Sequence, residues 1–293
     1  MAVNFGPTAH DYARYRTEFP SDLFVRLAAL GVGLPGQRVV DVGTGTGVLA
    51  RVFAAAGCTV VGVDVAPELL AEAERRDAAA SERRGVGASE RRGVGASERR
   101  GAGVSERRGA GVSERRGAGV SYRRAPAEDT GLPGQAWDVV SAGQCWHWLD
   151  RPRAVAEARR LLVPGGALVI CYRDFSIEPG SVGAASLDLA RAYNPDWPEA
   201  GGLAENPHWR DELAAAGFEG LHGFAFDTVV PFTHRAWRGR MRSSSGIGAT
   251  LPPDRITAFD ADLAELLRAR FPQEPLRIAH RIDALVARRP ADH

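Results

Sequence analysis

The sequence predicts a doubly wound α/β domain, in which a largely parallel sheet carries helices on both faces. Three observations carry that prediction. Short apolar runs alternate with helical stretches along most of the chain. The first strand-like run closes in three glycines at alternate positions, VVDVGTGTG from Val39 to Gly47. The second, CTVVGVD from Cys58 to Asp64, ends in an acid, and ligands of open parallel sheets bind outside the carboxyl ends of their strands.

Residues 1–36 read as an N-terminal helical cap. Tyr12, Tyr15, Arg16 and Phe19 fall at mixed helical spacing before Pro20. Ser21 is placed to N-cap a helix over Asp22 to Leu30, whose Leu23, Phe24, Leu27 and Leu30 form one apolar face. After a glycine-rich turn, Arg38 to Val42 is a buried strand and Gly47 to Ala56 a helix. Gly43, Gly45 and Gly47 let the intervening turn take positive φ and let a ligand lie against bare backbone. The helix start adds unpaired N–H groups and a positive dipole end, which favour a polar, partly anionic ligand. The bland alternative is a turn built for packing alone. A dinucleotide fingerprint needs a third glycine at position 48, which is Val48; the spacing present is GxGxG behind Asp41. Asp64 sits where an acid accepts ribose hydroxyls; the competing role is an N-cap for the helix opening at Pro67, but Ala66 intervenes.

Pro67 to about Ala80 is a good helix, with Glu72 and Arg76 at i, i+4. The chain then repeats itself with period eight, SERRGVGA drifting to SERRGAGV, from Ser81 through Ser121. Two glycines per copy and little apolar content build no core, so residues 81–119 are expected to be a disordered surface insertion. The functional alternative is an Arg-rich arm for an anionic polymer. The last copy carries Tyr122 where the others have Glu, and Val120 to Arg124 reads as the third strand. Ala127, Glu128 and Asp129 follow it. Trp137 to Ala142 is the fourth strand and runs into Gly143, Gln144, Cys145, Trp146, His147 and Trp148. Pro152 to Leu162 is a helix stopped by Pro164-Gly165-Gly166, and Ala167 to Tyr172 is the fifth strand. Asp174 to Glu205 is irregular in pattern. Asn206 and Pro207 open a helix to Ala216; Phe218 to Val230 is a strand; Thr233 to Arg242 is helical; Pro253 to Phe271 is an amphipathic helix. Leu276 to Arg288 is a last strand, expected to run antiparallel.

The 293 residues allow one domain or two, and 44% apolar content supplies a sizeable core. No apolar run approaches the roughly 18 residues of a membrane span, and the N-terminus lacks the pattern of a secretory signal. Cys58, Cys145 and Cys171 form no ligand spacing, so a reducing cytoplasmic location and no structural metal are expected. Every one of the 37 basic residues is Arg, a genomic base bias. Residues 81–124 hold twelve Arg and five Glu, +7, which leaves −6 on the rest of a chain of net charge +1. That mildly acidic body argues against nucleic acid as a partner.

DVGTGTG at 41–47 resembles motif I of the class I S-adenosylmethionine-dependent methyltransferases. GQCWHWLD at 143–150 resembles the Q-x-x-HW-x-D stretch of the methyltransferase type 11 and trans-aconitate methyltransferase-like group, and LLVPGGALVI its L-x-P-G-G motif. The resemblance covers nearly the whole chain except the repeat. It implies a Rossmann-like seven-stranded sheet of order 3-2-1-4-5-7-6 with the last strand antiparallel, and methyl transfer from S-adenosylmethionine to a small molecule at a carboxylate or hydroxyl oxygen. It implies that Asp41 orients the turn or the methionine amine, that Gly43, Thr44, Gly45 and Gly47 take the methionine end, Asp64 and Val65 the ribose, and Ala127 and Glu128 the adenine. Gly143 and Gln144 complete the cofactor cradle. Tyr12, Tyr15, Arg16, Trp146 and Trp148 are substrate candidates, with Arg16 as a carboxylate clamp. His147 is a general base or a hydrogen-bonded wall, and Trp146 and Trp148 have core packing as their alternative. Residues 174–204 would form an acceptor lid, and Arg242 and Ser243 would face the site mouth. Two other classes stay open: a non-catalytic interaction protein that works through the repeat, and an NAD-dependent oxidoreductase, against which Val48 counts.

Overall fold

Runs of valine and other β-branched residues favour extended backbone, and here they make a sheet buried on both sides. In the computed structural model, which describes residues 15, 18–90, 119–197 and 207–291 (for 81–90 and 207 the backbone only), seven strands form one sheet. They are β1 (Arg38–Val42), β2 (Thr59–Asp64), β3 (Val120–Arg124), β4 (Trp137–Gly143), β5 (Leu162–Phe175), β6 (Glu219–Phe232) and β7 (Leu276–Arg288). Their order is β3-β2-β1-β4-β5-β7-β6. The pairs from β3 to β5 are parallel, and β7 is antiparallel to both β5 and β6. The expected order and the reversed seventh strand are therefore both present.

Alternate residues of each strand enter opposite layers. Val40, Val42, Val140, Ala142, Leu168 and Ile170 pack against α4 (Arg151–Leu161) and α6 (Pro207–Ala215). Val39, Val139, Val169 and Cys171 face α1 (Ser21–Ala29) and α2 (Val48–Ala55). Beyond the end of that second layer, α5 (Val182–Tyr193), α7 (His234–Arg242) and α8 (Pro253–Arg270) form a third apolar cluster with Phe232, Leu276 and Ile278.

Several boundaries differ from the sequence reading. Pro20, not Ser21, occupies the N-cap of α1, without a side-chain cap bond. The stretch after residue 174 is not irregular: β5 continues to Phe175 and α5 follows, with Ser181 Oγ accepting from Ala184 N at 3.0 Å. Its signal was masked by small residues, and one of them is required, since a Cβ on Gly183 would lie 2.1 Å from the Ser176 carbonyl. Pro164-Gly165-Gly166 does not end an element but forms a bulge inside β5, where pairing jumps from Trp137–Leu162 to Val139–Ala167. Helix α3 (Pro67–Glu90) runs past Ala80 through the first octapeptide and into the second. The SERR and SE segments are adequate helix formers, and Gly85 and Gly87 cost only about 1 kcal/mol each. The remainder of the repeat, Asn206, Tyr12 and Arg16 lie outside the described residues. Among the described residues no helix is long and apolar enough to cross a membrane.

Trp237 anchors the third cluster: it is fully buried, its Nε1 donates to Ser186 Oγ at 2.8 Å, and its ring meets Phe175 and Phe232 edge-on. Trp237→Ala is expected to cost about 3–5 kcal/mol in urea unfolding. Trp148→Ala, at a side chain 38% exposed, is expected to cost less than about 1 kcal/mol.

Candidate functional site

The glycine turn lies at the carboxyl ends of β1 and β4, against the start of α2. Gly43, Gly45 and Gly47 have φ of 61°, 55° and 75°, where a side chain is strained. A Cβ on Gly43 would lie 2.6 Å from Cys145 Sγ, and one on Gly47 2.3 Å from the Tyr122 hydroxyl. No side chain caps α2, so its N-terminal donors face the turn.

Beneath the turn lies Asp41, 1% exposed. Thr44 Oγ1 donates to its Oδ2 and Ser141 Oγ to its Oδ1, both at 2.7 Å. One carboxylate thus ties β1, the turn and β4 together. Burial raises its pKa to about 6, against the opposing pull of the two hydroxyls.

Asp64 closes the other side. Its Oδ2 accepts from Gly45 N at 2.8 Å and its Oδ1 from Ala66 N at 2.9 Å. Burial raises its pKa, partly offset by these amides. Two carboxylate oxygens offer about four lone-pair directions, so the two amides leave room for two further donors. Val65, beside it, is 61% exposed. A cluster the sequence reading missed supports the turn from outside. Tyr122 donates to Asp77 Oδ2 at 2.9 Å, and Arg51 Nη1 donates to the Thr46 carbonyl at 2.6 Å. The departure of Tyr122 from its octapeptide was the available signal.

Ala127 is buried in the core, whereas Glu128 is half-buried and its Oε1 accepts from Asp150 N at 2.9 Å. Glu128 therefore meets the segment after β4. Gly143 leaves no room for a side chain, since a Cβ would lie 2.5 Å from Leu49 Cδ1. Gln144 holds φ at 63°, a strained value for a non-glycine residue. Its Nε2 donates to the Arg173 carbonyl at 2.7 Å and its backbone N to Cys171 O at 3.0 Å, so it latches the end of β4 to β5.

The aromatic stretch divides. Trp146 is 1% exposed and belongs to the core cluster beneath the sheet, so its reading as a substrate wall is corrected: the 3-10 turn at Trp146–Trp148 points it inward. Trp148 is on the surface, its ring 4.5 Å from that of His147. Tyr172, also missed, fixes His147. Its hydroxyl accepts from His147 N at 3.0 Å and lies 2.8 Å from Nδ1. These two contacts give His147 the hydrogen-bonded setting of its wall alternative.

Tyr15 packs on α7, where a Cβ on Gly239 would lie 2.1 Å from its ring. Arg242 pairs with Asp260, as does Arg238. Ser243 is buried and donates to the Arg240 carbonyl at 2.8 Å. Arg173 on β5 and Arg240 on α7, which the sequence reading did not single out, are buried.

Asp41 sets a pH dependence. Its folded pKa, about 6, lies above its ordinary 3.8, so the native state binds more protons across that window and its stability falls as pH rises through it. A shift of about two units corresponds to roughly 3 kcal/mol. In urea unfolding, Asp41→Asn is expected to gain about 2–3 kcal/mol relative to wild type between pH 4 and pH 7; parallel stabilities across that range would contradict the buried carboxylate.

Comparison with known proteins follows this geometry closely. Residues 12–224 match the family model described as a methyltransferase domain. An uncharacterized methyltransferase of Mycobacterium tuberculosis is 27% identical over 172 residues, 59% of this chain and 53% of its own length, so the chain spans about half the length of the curated relatives it matches first. The malonyl-[acyl-carrier protein] O-methyltransferase of Enterobacter lignolyticus is 28% identical over 262 residues, 85% of this chain and 79% of its own. Among solved structures, a type II methyltransferase assignment from Anaeromyxobacter dehalogenans superposes with a TM-score of 0.59 at 24% identity, over 95% of this chain and all of that one. A Haemonchus contortus phosphoethanolamine N-methyltransferase, solved with S-adenosylhomocysteine, gives 0.53 at 17% identity, over 98% and 60%. A sheet of this order, a positive-φ glycine turn over a buried acid and a family match over residues 12–224 go together: the chain belongs to the methyltransferase domain family.

Proposed function

We propose that the chain transfers the methyl group of S-adenosylmethionine to an oxygen of a small-molecule acceptor. The observation that carries this reading is the glycine turn, whose missing side chains leave a backbone cradle, closed by an Asp64 carboxylate with lone pairs to spare. This arrangement fits the cofactor. In the proposal Gly43, Thr44, Gly45 and Gly47 receive its methionine end, Asp64 and Val65 its ribose, Ala127 and Glu128 its adenine, and Gly143 with Gln144 the floor beneath its sulfur. When bound, it supplies an already activated methyl group. The chain's task is then to align the acceptor and exclude water, which in favourable cases supplies about 7–11 kcal/mol.

A carboxylate acceptor needs no base; a hydroxyl acceptor does, and His147 is the candidate for it. His147 and Trp148 would form the acceptor-side wall. The oxygen acceptor agrees with the name of the Enterobacter relative, and the affinity of GQCWHWLD for the trans-aconitate methyltransferase-like group belongs to the same reading. Tyr12, Tyr15 and Arg16 would close the site from the N-terminal side, Arg16 as a carboxylate clamp. Residues 81–119 would be an insertion outside the chemistry.

Calorimetry tests the cradle. S-adenosylhomocysteine is expected to bind and NAD to give no heat; the reverse would return the chain to the oxidoreductases. Asp64→Ala removes a charged acceptor whose hydrogen bonds contribute about 1.5–3 kcal/mol each, so affinity is expected to fall about a hundredfold. Gly43→Ala is expected to abolish binding. Gly36→Ala, with φ of 86° but nothing within 4 Å of its Cβ, should bind normally and lose only about 1–2 kcal/mol of stability.

A further inference from the structure

Gly47, the N-cap of α2, stands in the left-handed region with φ 75° and ψ 27°, and no side chain caps the helix. The peptide that enters the helix must be fixed by something else. Arg51 fixes it twice. Its backbone N donates to the Gly47 carbonyl at 3.0 Å, and its Nη1 reaches back to donate to the Thr46 carbonyl at 2.6 Å. The N–H of the same Thr46–Gly47 peptide donates to the Thr44 carbonyl at 2.9 Å. Both ends of this peptide unit are held, and with them the direction of the first amides of α2.

Two residues from elsewhere in the chain hold Arg51 in turn. Asp77 of α3 pairs with its Nη1 at 3.5 Å, the two side chains being 20% and 12% exposed. Asp77 Oδ2 also accepts from the Tyr122 hydroxyl at 2.9 Å. Tyr122 lies on β3 opposite Gly62 of β2. A Cβ on Gly62 would lie 2.8 Å from the Tyr122 ring, and one on Gly47 2.3 Å from its hydroxyl. The bare backbone at Gly62 therefore lets the ring cross β2 and bring its oxygen against Gly47. Burial, then the charge of Asp77, raises the Tyr122 pKa, so the phenol stays the donor of this bond. Arg51 Nη2 is buried and has no hydrogen-bond partner among the described residues. An unsatisfied donor costs stability, so packing alone does not call for a guanidinium here; the reach to Thr46 does. Asp77 precedes the octapeptide tract and Tyr122 follows it, so the turn is braced by the two ends of the insertion.

We propose that Arg51, Asp77 and Tyr122 are positioning residues for the methyl donor: by fixing the Thr46–Gly47 peptide they set the affinity of the turn for the amino-acid half of S-adenosylmethionine, and none of them contacts it. This inference rests on the methyltransferase reading and deepens it. In that reading the turn from Gly43 to Gly47 receives the methionine end, while Asp64 and Glu128 take the ribose and the adenine. A Thr46–Gly47 peptide free to rotate would misdirect the donors offered to the amino-acid half and leave the nucleoside contacts in place. Binding constellations need supporting side chains that hold them to within about 0.5 Å, and these three supply that support from behind the turn.

The test is calorimetry with two ligands: S-adenosylhomocysteine, which carries the amino-acid half, and 5′-methylthioadenosine, which lacks it and is read by its displacement of the first. Arg51→Met is expected to weaken S-adenosylhomocysteine about tenfold, the worth of one hydrogen bond from a charged donor, and to change methylthioadenosine less than about twofold. Arg51→Lys should restore part of the loss, since its ammonium still donates to the Thr46 carbonyl. Tyr122→Phe keeps the ring but releases Asp77, and is expected to weaken S-adenosylhomocysteine about threefold with methylthioadenosine unchanged. Both substitutions act through Asp77, so the double variant should lose less than the product of the two single losses. Parallel losses for the two ligands, the mark of a general loosening of the fold, would overturn the proposal, as would unchanged S-adenosylhomocysteine affinity in Arg51→Met. Should Arg51→Met fail to fold, Tyr122→Phe decides by the same comparison of the two ligands. Failure of the wild-type chain to bind S-adenosylhomocysteine would overturn the cofactor reading itself, and this positioning role with it.

Discussion

The architecture of the site depends on one buried carboxylate. Asp41 is removed from water at the end of the central strand, a placement that costs free energy unless its oxygens are satisfied. Thr44 and Ser141 satisfy them from the turn and from β4. The same two hydroxyls therefore fix the turn against the sheet. Asp64 repeats the device one strand away with backbone amides as donors. Between the two acids the glycines keep strained conformations that neither the helix nor the strand would impose on its own.

This frame was largely legible. Strands buried on both faces leave nearly continuous apolar runs, and β1, β2, β4 and the centre of β5 follow from such runs, while β7 alternates buried and exposed residues along most of its length. The order of the strands was not in the periodicity; it came from motifs whose residues sit at the strand ends. What failed did so for identifiable reasons. The first turns of α5 are small residues, and at Gly183 the Ser176 carbonyl leaves no room for a side chain, so its start gives little amphipathic pattern to read. The bulge at Pro164-Gly165-Gly166 uses the residues of a stop signal to interrupt a strand rather than end it.

The site was legible in its backbone-binding part and less so in its side-chain part. Gly43, Gly47, Asp41 and Asp64 act through geometry that spacing announces. Asp77 and Tyr122, and His147 and Tyr172, are 45 and 25 residues apart in the sequence and meet only because α3 lies against β3 and the turn after β4 lies against β5. Trp146 and Trp148 show the same limit at short range. Two residues apart on a 3-10 turn, they face the core and the surface respectively, and neither composition nor spacing decides which.

The extension of α3 into the octapeptide has a consequence for how the chain varies. The described part of α3 ends at Glu90, two residues into the second copy. The segment joins α3 to β3, the outermost strand of the sheet, and β3 is held at its own end by Tyr122 and Asp77. The closure cost of such a connection grows only with the logarithm of its length. Adding or removing one eight-residue unit therefore changes the closure cost of this connection only slightly.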